Sequence, residues 1–597
     1  MSDLVLTPEQ QRVVDSDAGA LVVVAGAGSG KTEVVARRVE RLLAADPEGD
    51  GRVLAVSFTV KAADELRARV RDRLGRLHRR VDADTVHGFS LAIVRQFGTR
   101  IGLPLEPEVL TQQADRVEML EEWLREQGRS VDDPRRIFDE LDLARAKCDE
   151  SAPFLQEWRD CLVARGALDY PAMLDAAAEL LEMPAVGRLV RRAYDEVVVD
   201  EAQNLTPAQY RVIAAVLGPA DHPGVRATMV GDDRQSIVGF AGADHRLVAR
   251  FANDYTAERH ELTVNHRSST AVAEVSTAVA AALGSSSVGT TSYAAQGQVL
   301  ICAADDERSE AAIVLRWVQG LLTDGLEPPV VPSAERVQAE EVAVLCRTTS
   351  GLRAARRALL DANVEVAEAG TEDDWLTTIR ARAAVALLGC MAAATHRSAR
   401  RQLAALAGVE WPADFSAAQL LAGAAVGEVR PLAPLAEAQG PEEFLEMLKD
   451  LPSEDVGWPD DIGLLQDAWD AFADESNVGG RTFAGFRQFL SRRQRGDQGR
   501  PGVRLLTIHK AQGQEFKAVA VIGLTNGQLP DFRARTEEEL KAELRAFYVA
   551  VSRASRTMLL TYPRQRETRY GPRSTEPSPF LRILSDSGVS NMVDIFD

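Results

Sequence analysis

Lys31 and Thr32 close the run LVVVAGAGSGKT at residues 21–32, an order of residue types that can hold a chain of phosphates. The apolar stretch 21–25 reads as a buried parallel strand, and the pattern over 33–43 reads as a helix. Between them Ala25, Gly26, Ala27, Gly28, Ser29 and Gly30 form a glycine-rich turn. Its N–H groups can converge on an anion only where side chains are absent. Lys31 would then neutralise the β and γ phosphates of a nucleotide, Thr32 would hold Mg²⁺, and the helix would aim its positive N-terminus at the same charge. The first loop position is Ala25 rather than glycine, which makes this the relaxed form of the pattern.

Other segments supply the chemistry such a loop needs. YDEVVVDEAQ ends an apolar run on Asp200 and Glu201. A carboxylate at the C-terminal end of a strand can ligate Mg²⁺, the role expected of Asp200, while Glu201 beside it would activate the attacking water. MVGDDRQSIVGF carries Gln235, a neutral group suited to hydrogen-bond a γ-phosphate or its attacking water. Far downstream, YVAVSRA places Arg553 in a helical pattern, a candidate arginine finger for charge developing on a transferred phosphoryl group.

The elements that must position these residues alternate between strand-like and helical patterns. Runs at 21–25, 53–58, 196–199 and 227–230 are those of an α/β unit with a parallel sheet. Between the second and third lies an almost wholly helical stretch, with patterns at 114–127, 153–164 and 170–181. A second set of runs follows at 298–302, 342–346, 503–508 and 519–523, interrupted by another helical stretch that ends in the loop GDQGRPG at 496–502. The expected organisation is a first core at 1–87 and 191–269 with a helical insert at 88–190. A second core at 270–375 and 500–584, with an insert at 376–499, precedes a tail at 585–597.

A chain of 597 residues exceeds what one core can organise. No apolar run approaches the roughly 20 residues that span a membrane, and MSDLVLTPEQ carries no basic leader region. Five scattered cysteines lack metal-ligand spacing and read as small buried residues of a cytoplasmic protein. The net charge of −20 argues against a uniformly polyanion-binding surface. Arginine-dense stretches at 67–80, 397–401, 492–500 and 564–573 leave room for a local basic track.

Taken in order, the motifs resemble those of the superfamily 1 DNA helicases of the UvrD/Rep/PcrA family, along nearly the whole chain. LTPEQQ resembles the Q-motif, in which Gln10 would read adenine. VSFTVKAADELRARV resembles motif Ia, TVHGF motif Ib, VVVDEAQN motif II, MVGDDRQSIVGFAGA motif III, LTVNHRS motif IV, LLTIHKAQGQEF motif V and ELRAFYVAVSRA motif VI. The resemblance implies two RecA-like parallel-sheet cores of the P-loop NTPase class with ATP and Mg²⁺ in the cleft between them. Arg267 and Arg553 would reach the γ-phosphate, Arg553 from the second core. His266 stands where the family usually has an adenine-stacking tyrosine, and Glu515 resembles its ribose-contacting glutamate, with Gly513 beside it. Single-stranded DNA would run over Phe58, Thr59, Thr85, His87, Phe240 and His509.

Departures from the family pattern bear on the DNA side. Val60 replaces an asparagine, while Val238, Phe240 and Ala241 stand where tyrosine, tryptophan and arginine are common. Asn204 replaces an aspartate and Gln512 a lysine. Placed on the DNA-facing side, these changes remove two positive charges and much aromatic area, so a lighter grip on single strands is expected. The second insert is short for the family's mobile regulatory subdomain and is a candidate surface for a protein partner. The leading expectation is an ATP-dependent 3′→5′ helicase acting on single-stranded and tailed duplex DNA in repair, replication or recombination. The alternative is a nucleotide-sensing ATPase subunit of a larger DNA-repair or antiphage assembly.

Overall fold

The computed structural model describes residues 5–105, 107–110, 113–129, 133–220, 223–285, 290–368, 376, 378–392, 397–409, 416–451, 458–475, 481–495, 502–568, 571–589 and 592–595. The chain divides into two compact units. One comprises Met1–Val86, Gly187–Ala369 and Gly499–Asp597, the other His87–Val186 and Gly370–Gln498.

Two wholly parallel sheets organise the first unit. The first contains β1 (Ala20–Ala25), β2 (Arg52–Ser57), β3 (Val81–Thr85), β4 (Tyr194–Val199), β5 (Arg226–Gly231) and β6 (Glu258–Leu262), in the order β3-β2-β4-β5-β1-β6. The second contains β7 (Gln298–Ala304), β8 (Val342–Cys346), β9 (Val366–Glu368), β10 (Val503–Thr507), β11 (Phe516–Val521), β12 (Ala554–Pro563) and β13 (Met592–Ile595), in the order β9-β10-β8-β11-β12-β7-β13.

The physical basis is the period of two along each strand. In β8, Ala343 and Leu345 enter one apolar cluster, while Val342, Val344 and Cys346 enter the cluster on the opposite face. Val519 and Val521 of β11 divide from Ala518 and Ala520 in the same way. Both faces of these strands are therefore covered, which is why they read as unbroken apolar runs.

Several elements differ from the sequence expectation. Edge strands β3 and β6, VDADT and ERHEL, are half-exposed and polar, and only the four interior strands of the first sheet are legible as apolar runs. Met592–Ile595, expected in the tail, pairs with β7 as an edge strand. Residues 187–190, expected in the first insert, belong to the first unit and lie in helix Pro184–Ala193, which leads into β4. Four cysteines are buried, but Cys148 is exposed in a turn at φ 53°.

One buried ion pair fastens the helix that follows the phosphate-type loop. Arg38, on helix Lys31–Ala45, donates to Glu196 of β4 at 2.8 Å and to Thr228 of β5 at 3.0 Å. It also donates to the Val13 and Ser16 carbonyls at 3.0 and 2.8 Å, and its side chain is 1% exposed. The guanidinium is thus fully partnered, the condition under which a buried charge is tolerated.

The second unit is mainly helical. Its first segment includes helices Gln113–Glu126, Pro134–Ala146, Leu155–Ala164 and Tyr170–Glu182, with Arg145 buried against Asp169 at 2.9 Å. Its second segment includes Ile379–Ala392, Arg397–Ala407, Pro441–Lys449, Trp458–Glu475 and Phe483–Arg495, packed around Phe444, Trp469, Phe472 and Phe486. The side chains of the arginine-rich stretch 492–500, and the loop 496–501 as a whole, lie outside the described residues. Among the described residues no helix is long and apolar enough to cross a membrane.

Candidate functional site

The loop after β1 is shaped by its glycines. Gly28 and Gly30 sit at φ 73° and 80°, the left-handed region that L side chains rarely adopt. A Cβ at Gly28 would lie 2.3 Å from Asn265 Oδ1. The loop is braced from several sides: Ser29 Oγ donates to the Gly26 carbonyl at 2.8 Å, and the His266 N–H donates to the Gly28 carbonyl at 2.9 Å. Among the described residues Lys31 makes long contacts, donating to the Ala25 carbonyl at 3.3 Å and lying 3.8 Å from Glu201.

A cleft of about 460 Å³ opens over this loop, lined by residues attached to both sheets. From the first come Gly26, Ala27, Gly28, Ser29, Gly30, Lys31, Thr32, Asp200, Glu201 and Gln235. His266 and Arg267 line it from the segment between the sheets, and Gly513, Glu515 and Arg553 from the second. Ala25 is fully buried at the end of β1, beneath the loop.

Gln10, the expected adenine reader, has both ends of its amide engaged by the protein. Its Oε1 accepts from the Thr7 N–H at 2.9 Å and its Nε2 donates to the Ser29 carbonyl at 2.9 Å, so it buttresses the loop from behind. Arg553 is also placed differently from expectation. Helix Glu537–Val551 ends two residues before it, and Arg553 leads from that helix into β12.

The two acids differ sharply in surroundings. Asp200 is 5% exposed and accepts the Glu201 N–H at 2.9 Å. Burial and the adjacent Glu201 charge push its carboxyl up to about 6, against the opposing pull of Lys31. Glu201 stands at φ 54°, in the left-handed region, and its Oε1 lies 3.8 Å from Lys31 Nζ. Its Oε2 accepts from Gln203 Nε2 at 2.5 Å.

Gln235 is the meeting point of the cleft. It is 2% exposed; its Nε2 donates to Asp232 Oδ2 at 3.0 Å and its Oε1 accepts from Arg553 Nη2 at 3.0 Å. Arg553 further donates to the carbonyls of Val549 and Gln514, both at 3.1 Å, and to Ser552 Oγ at 3.0 Å. Burial, reinforced by the nearby Arg267 guanidinium, pulls Arg553 below the ordinary arginine value. Arg267 donates to Glu515 and, at 3.0 Å, to the Ser552 carbonyl. His266 Nδ1 lies 2.9 Å from the Ser292 hydroxyl. His266 Nε2 and Arg267 Nε are buried without a partner among the described residues, two polar atoms suited to meet a polar ligand.

Three contributors escape a reading of motifs alone. Asp232, with no exposed side-chain surface, accepts from Gln235, from Tyr548 OH at 3.1 Å and from Arg234. Burial would raise its pKa, yet Arg234, Lys31 and these hydrogen bonds together hold it below the usual carboxylate value. Gln203 accepts the Asp232 N–H at 3.0 Å, which links Glu201 through Asp232 to Gln235. Arg556 joins Arg69, Arg267 and Arg553 in lining the cleft and stacks 3.8 Å over Tyr293. The only sequence signal for the first two was the density of polar residues after β4 and β5.

Asn204 and Gln512, expected on the DNA-facing side, line this cleft instead and hydrogen-bond each other at 3.1 Å. Motif membership fixed their place in the chain, whereas the turns after β4 and β10 set the direction of their side chains. Of the expected DNA residues, Phe58 and Thr59 also line the cleft. Thr59 additionally caps helix Val60–Leu74 by accepting from the Ala62 N–H at 3.2 Å. Thr85 ends β3 in register with Ser57, so it lies at the same sheet edge as Phe58. His509 follows β10; burial, helped by Arg347, lowers its pKa. His87 belongs to the second unit and meets Tyr170 edge-on at 5.6 Å. Phe240 lies on a short turn, and its side chain lies outside the described residues.

Comparison with known proteins agrees with this geometry. Residues 6–256 match the UvrD/REP helicase N-terminal domain and residues 483–565 the UvrD-like helicase C-terminal domain, together more than half of the chain. The chain is 27% identical to the ATP-dependent DNA helicase UvrD1 of Mycobacterium tuberculosis, over 97% of its own length and 85% of the relative's. It is 24% identical to the ATP-dependent DNA helicase PcrA of Bacillus subtilis, over 98% and 86% respectively. With two parallel sheets flanking a glycine-loop cleft and both family domains in order, the chain belongs to the UvrD/REP helicase family.

Proposed function

We propose that this protein is an ATP-dependent DNA helicase that translocates 3′→5′ along single-stranded DNA. The observation that carries the reading is the hydrogen bond from Arg553 to Gln235, which joins a residue after helix Glu537–Val551 to one after β5 over the glycine loop. The loop N–H groups and Lys31 hold the phosphates, and His266 stacks on the base with less area than a tyrosine ring. Two carboxylates held side by side, one pushed up to about 6, form a site that a divalent cation relieves. Thr32 and Asp200 would hold Mg²⁺, which when bound would supply charge neutralisation for the phosphates. Glu201 takes the proton of the attacking water, Gln235 orients that water, and Arg267 and Arg553 meet the charge that develops on the phosphoryl oxygens.

Because Arg553 and the loop belong to different sheets, hydrolysis requires closure of the cleft, and product release reopens it. Phe58, Thr59, Thr85, Phe240 and His509 follow strand ends or neighbouring turns of the first unit and supply its DNA contacts, and His87 is the corresponding contact of the second unit. Polarity and the choice among repair, replication and recombination rest on kinship alone. One observation favours the alternative of a nucleotide-sensing subunit: Val238, at a position where the family commonly has an aromatic residue, packs against the apolar cluster of the second sheet. An aliphatic side chain packed there offers no ring on which a base could stack, and the grip on DNA is lighter for it.

The test is ATP turnover with and without single-stranded DNA, alongside strand displacement on 3′- and 5′-tailed duplexes. Stimulated turnover with displacement from the 3′ tail is expected. Turnover with neither stimulation nor displacement favours the sensor. Glu201→Gln should retain ATP binding while losing turnover, and an active variant would remove Glu201 from its role.

A further inference from the structure

Gln512 lies in the turn between β10 and β11, attached to the second sheet. Its Nε2 donates at 3.1 Å to Asn204 Oδ1, in the turn after β4, and at 3.1 Å to the backbone carbonyl of Gln235, after β5. One side chain of the second sheet therefore grips the two segments of the first that carry the acid pair and the water-orienting glutamine.

The orientation of this amide is fixed by chemistry. A backbone carbonyl can only accept, so Gln512 must present its NH₂, and Asn204 must present its oxygen in turn. Both amide hydrogens are used. Asn204 is 1% exposed and uncharged, so the bridge carries no charge to be screened or left unpaired. Gln235 is then held at four points: side-chain bonds to Asp232 and Arg553, its N–H donated to the Asp232 carbonyl at 2.9 Å, and its own carbonyl accepting from Gln512.

We infer that Gln512 is a positioning residue, whose paired donation to Asn204 and to the Gln235 carbonyl seats Gln235 against Arg553 when the cleft is closed. Position 512 requires a donor of this length. Lysine satisfies that requirement, whereas leucine has no polar hydrogen and glutamate, though isosteric, turns acceptors toward acceptors.

The inference rests on the ATPase reading above, and one experiment separates the two. Steady-state ATP turnover is measured on the full-length protein with an oligo(dT) strand for wild type, Gln512→Leu, Gln512→Glu and Gln512→Lys, with thermal melting of each. Leu and Glu should each lower kcat by about ten- to a hundredfold, as small misplacements of catalytic groups do, while KM for ATP stays within about threefold. Melting midpoints should stay near wild type, and Lys should restore kcat to within about threefold of wild type. Leu and Glu variants within about twofold of wild-type kcat, or a Lys variant no better than Leu, overturn the inference while the ATPase reading stands. A wild type without turnover removes both.

Discussion

Replacing Asp232 by Asn changes one atom in a buried carboxylate, and its effects should divide between two observables. Oδ2 accepts from Gln235 Nε2 at 3.0 Å and Tyr548 OH at 3.1 Å, while Oδ1 accepts from the Arg234 N–H at 3.2 Å and from its guanidinium. Asparagine has one acceptor oxygen. If that oxygen stays with Arg234, the new NH₂ meets the NH₂ of Gln235, which must flip and then present a donor to Arg553. The other arrangement, with the oxygen turned to Gln235, sets the new NH₂ against the Arg234 guanidinium, donor against charged donor, so the first is favoured. In either case Arg234, whose side chain is 15% exposed, loses its counter-charge, and breaking such a pair from one side costs about 3–5 kcal/mol of stability. The rotated Gln235 amide should lower kcat by about a hundredfold, with KM for ATP changing by under about threefold. Urea unfolding and single-turnover hydrolysis measure the two separately. An Asp232→Asn protein whose kcat lies within about twofold of wild type would show that Gln235 does not depend on Asp232 for its orientation.

Gly28→Ala introduces a Cβ 2.3 Å from Asn265 Oδ1 at φ 73°, which stores about 1 kcal/mol or more of local strain. Affinity for a fluorescent nucleotide should fall while the melting curve shifts little; unchanged affinity refutes the loop geometry as the phosphate site. Phe58→Ala should weaken an oligonucleotide by about 1–3 kcal/mol if the ring is a base platform. Loss of nucleotide affinity alone would assign Phe58 to the cleft it lines. Glu310, 5% exposed, accepts the Gly523 N–H and Thr561 Oγ, and burial pushes its carboxyl up to about 7. The unfolded chain releases this proton near pH 4.5 and the folded chain near pH 7, so the wild type loses stability as pH rises between them. Glu310→Gln keeps the acceptor and should be more stable than wild type by about 2–4 kcal/mol at pH 8, with the gap closing toward pH 5. A constant gap across that range would rule out titration of Glu310.

What the sequence reveals follows burial. Interior strands covered on both faces, such as β1 and β8, are unbroken apolar runs. Edge strands β3 and β6 lean on water from one side, and their polar sequences hide them. Strand β12 was obscured differently, because its opening residues complete the motif that carries Arg553, which reads as helical. In the cleft, residue types with fixed spacing, Lys31 with Thr32 and Asp200 with Glu201, are legible from chemistry alone. Side-chain direction is not legible, since it depends on turns such as the left-handed Glu201. Asn204 and Gln512 therefore read as losses from a DNA surface, although they form a bridge. Asp232 and Gln203 act by holding other side chains, and nothing in their own identity announces that.

The hydrogen bonds of Arg38 bear on how work is extracted from a nucleotide. They weld the helix behind the phosphate loop to β4, which ends beside Asp200 and Glu201, and to β5, which ends beside Gln235. A tug on the phosphates cannot be absorbed by relative slip among these three elements. The first sheet then behaves as a stator. On the proposed function, the seam where Arg553 and Gln512 meet it is where loss of one phosphate would register as displacement rather than as strain dispersed through the sheet.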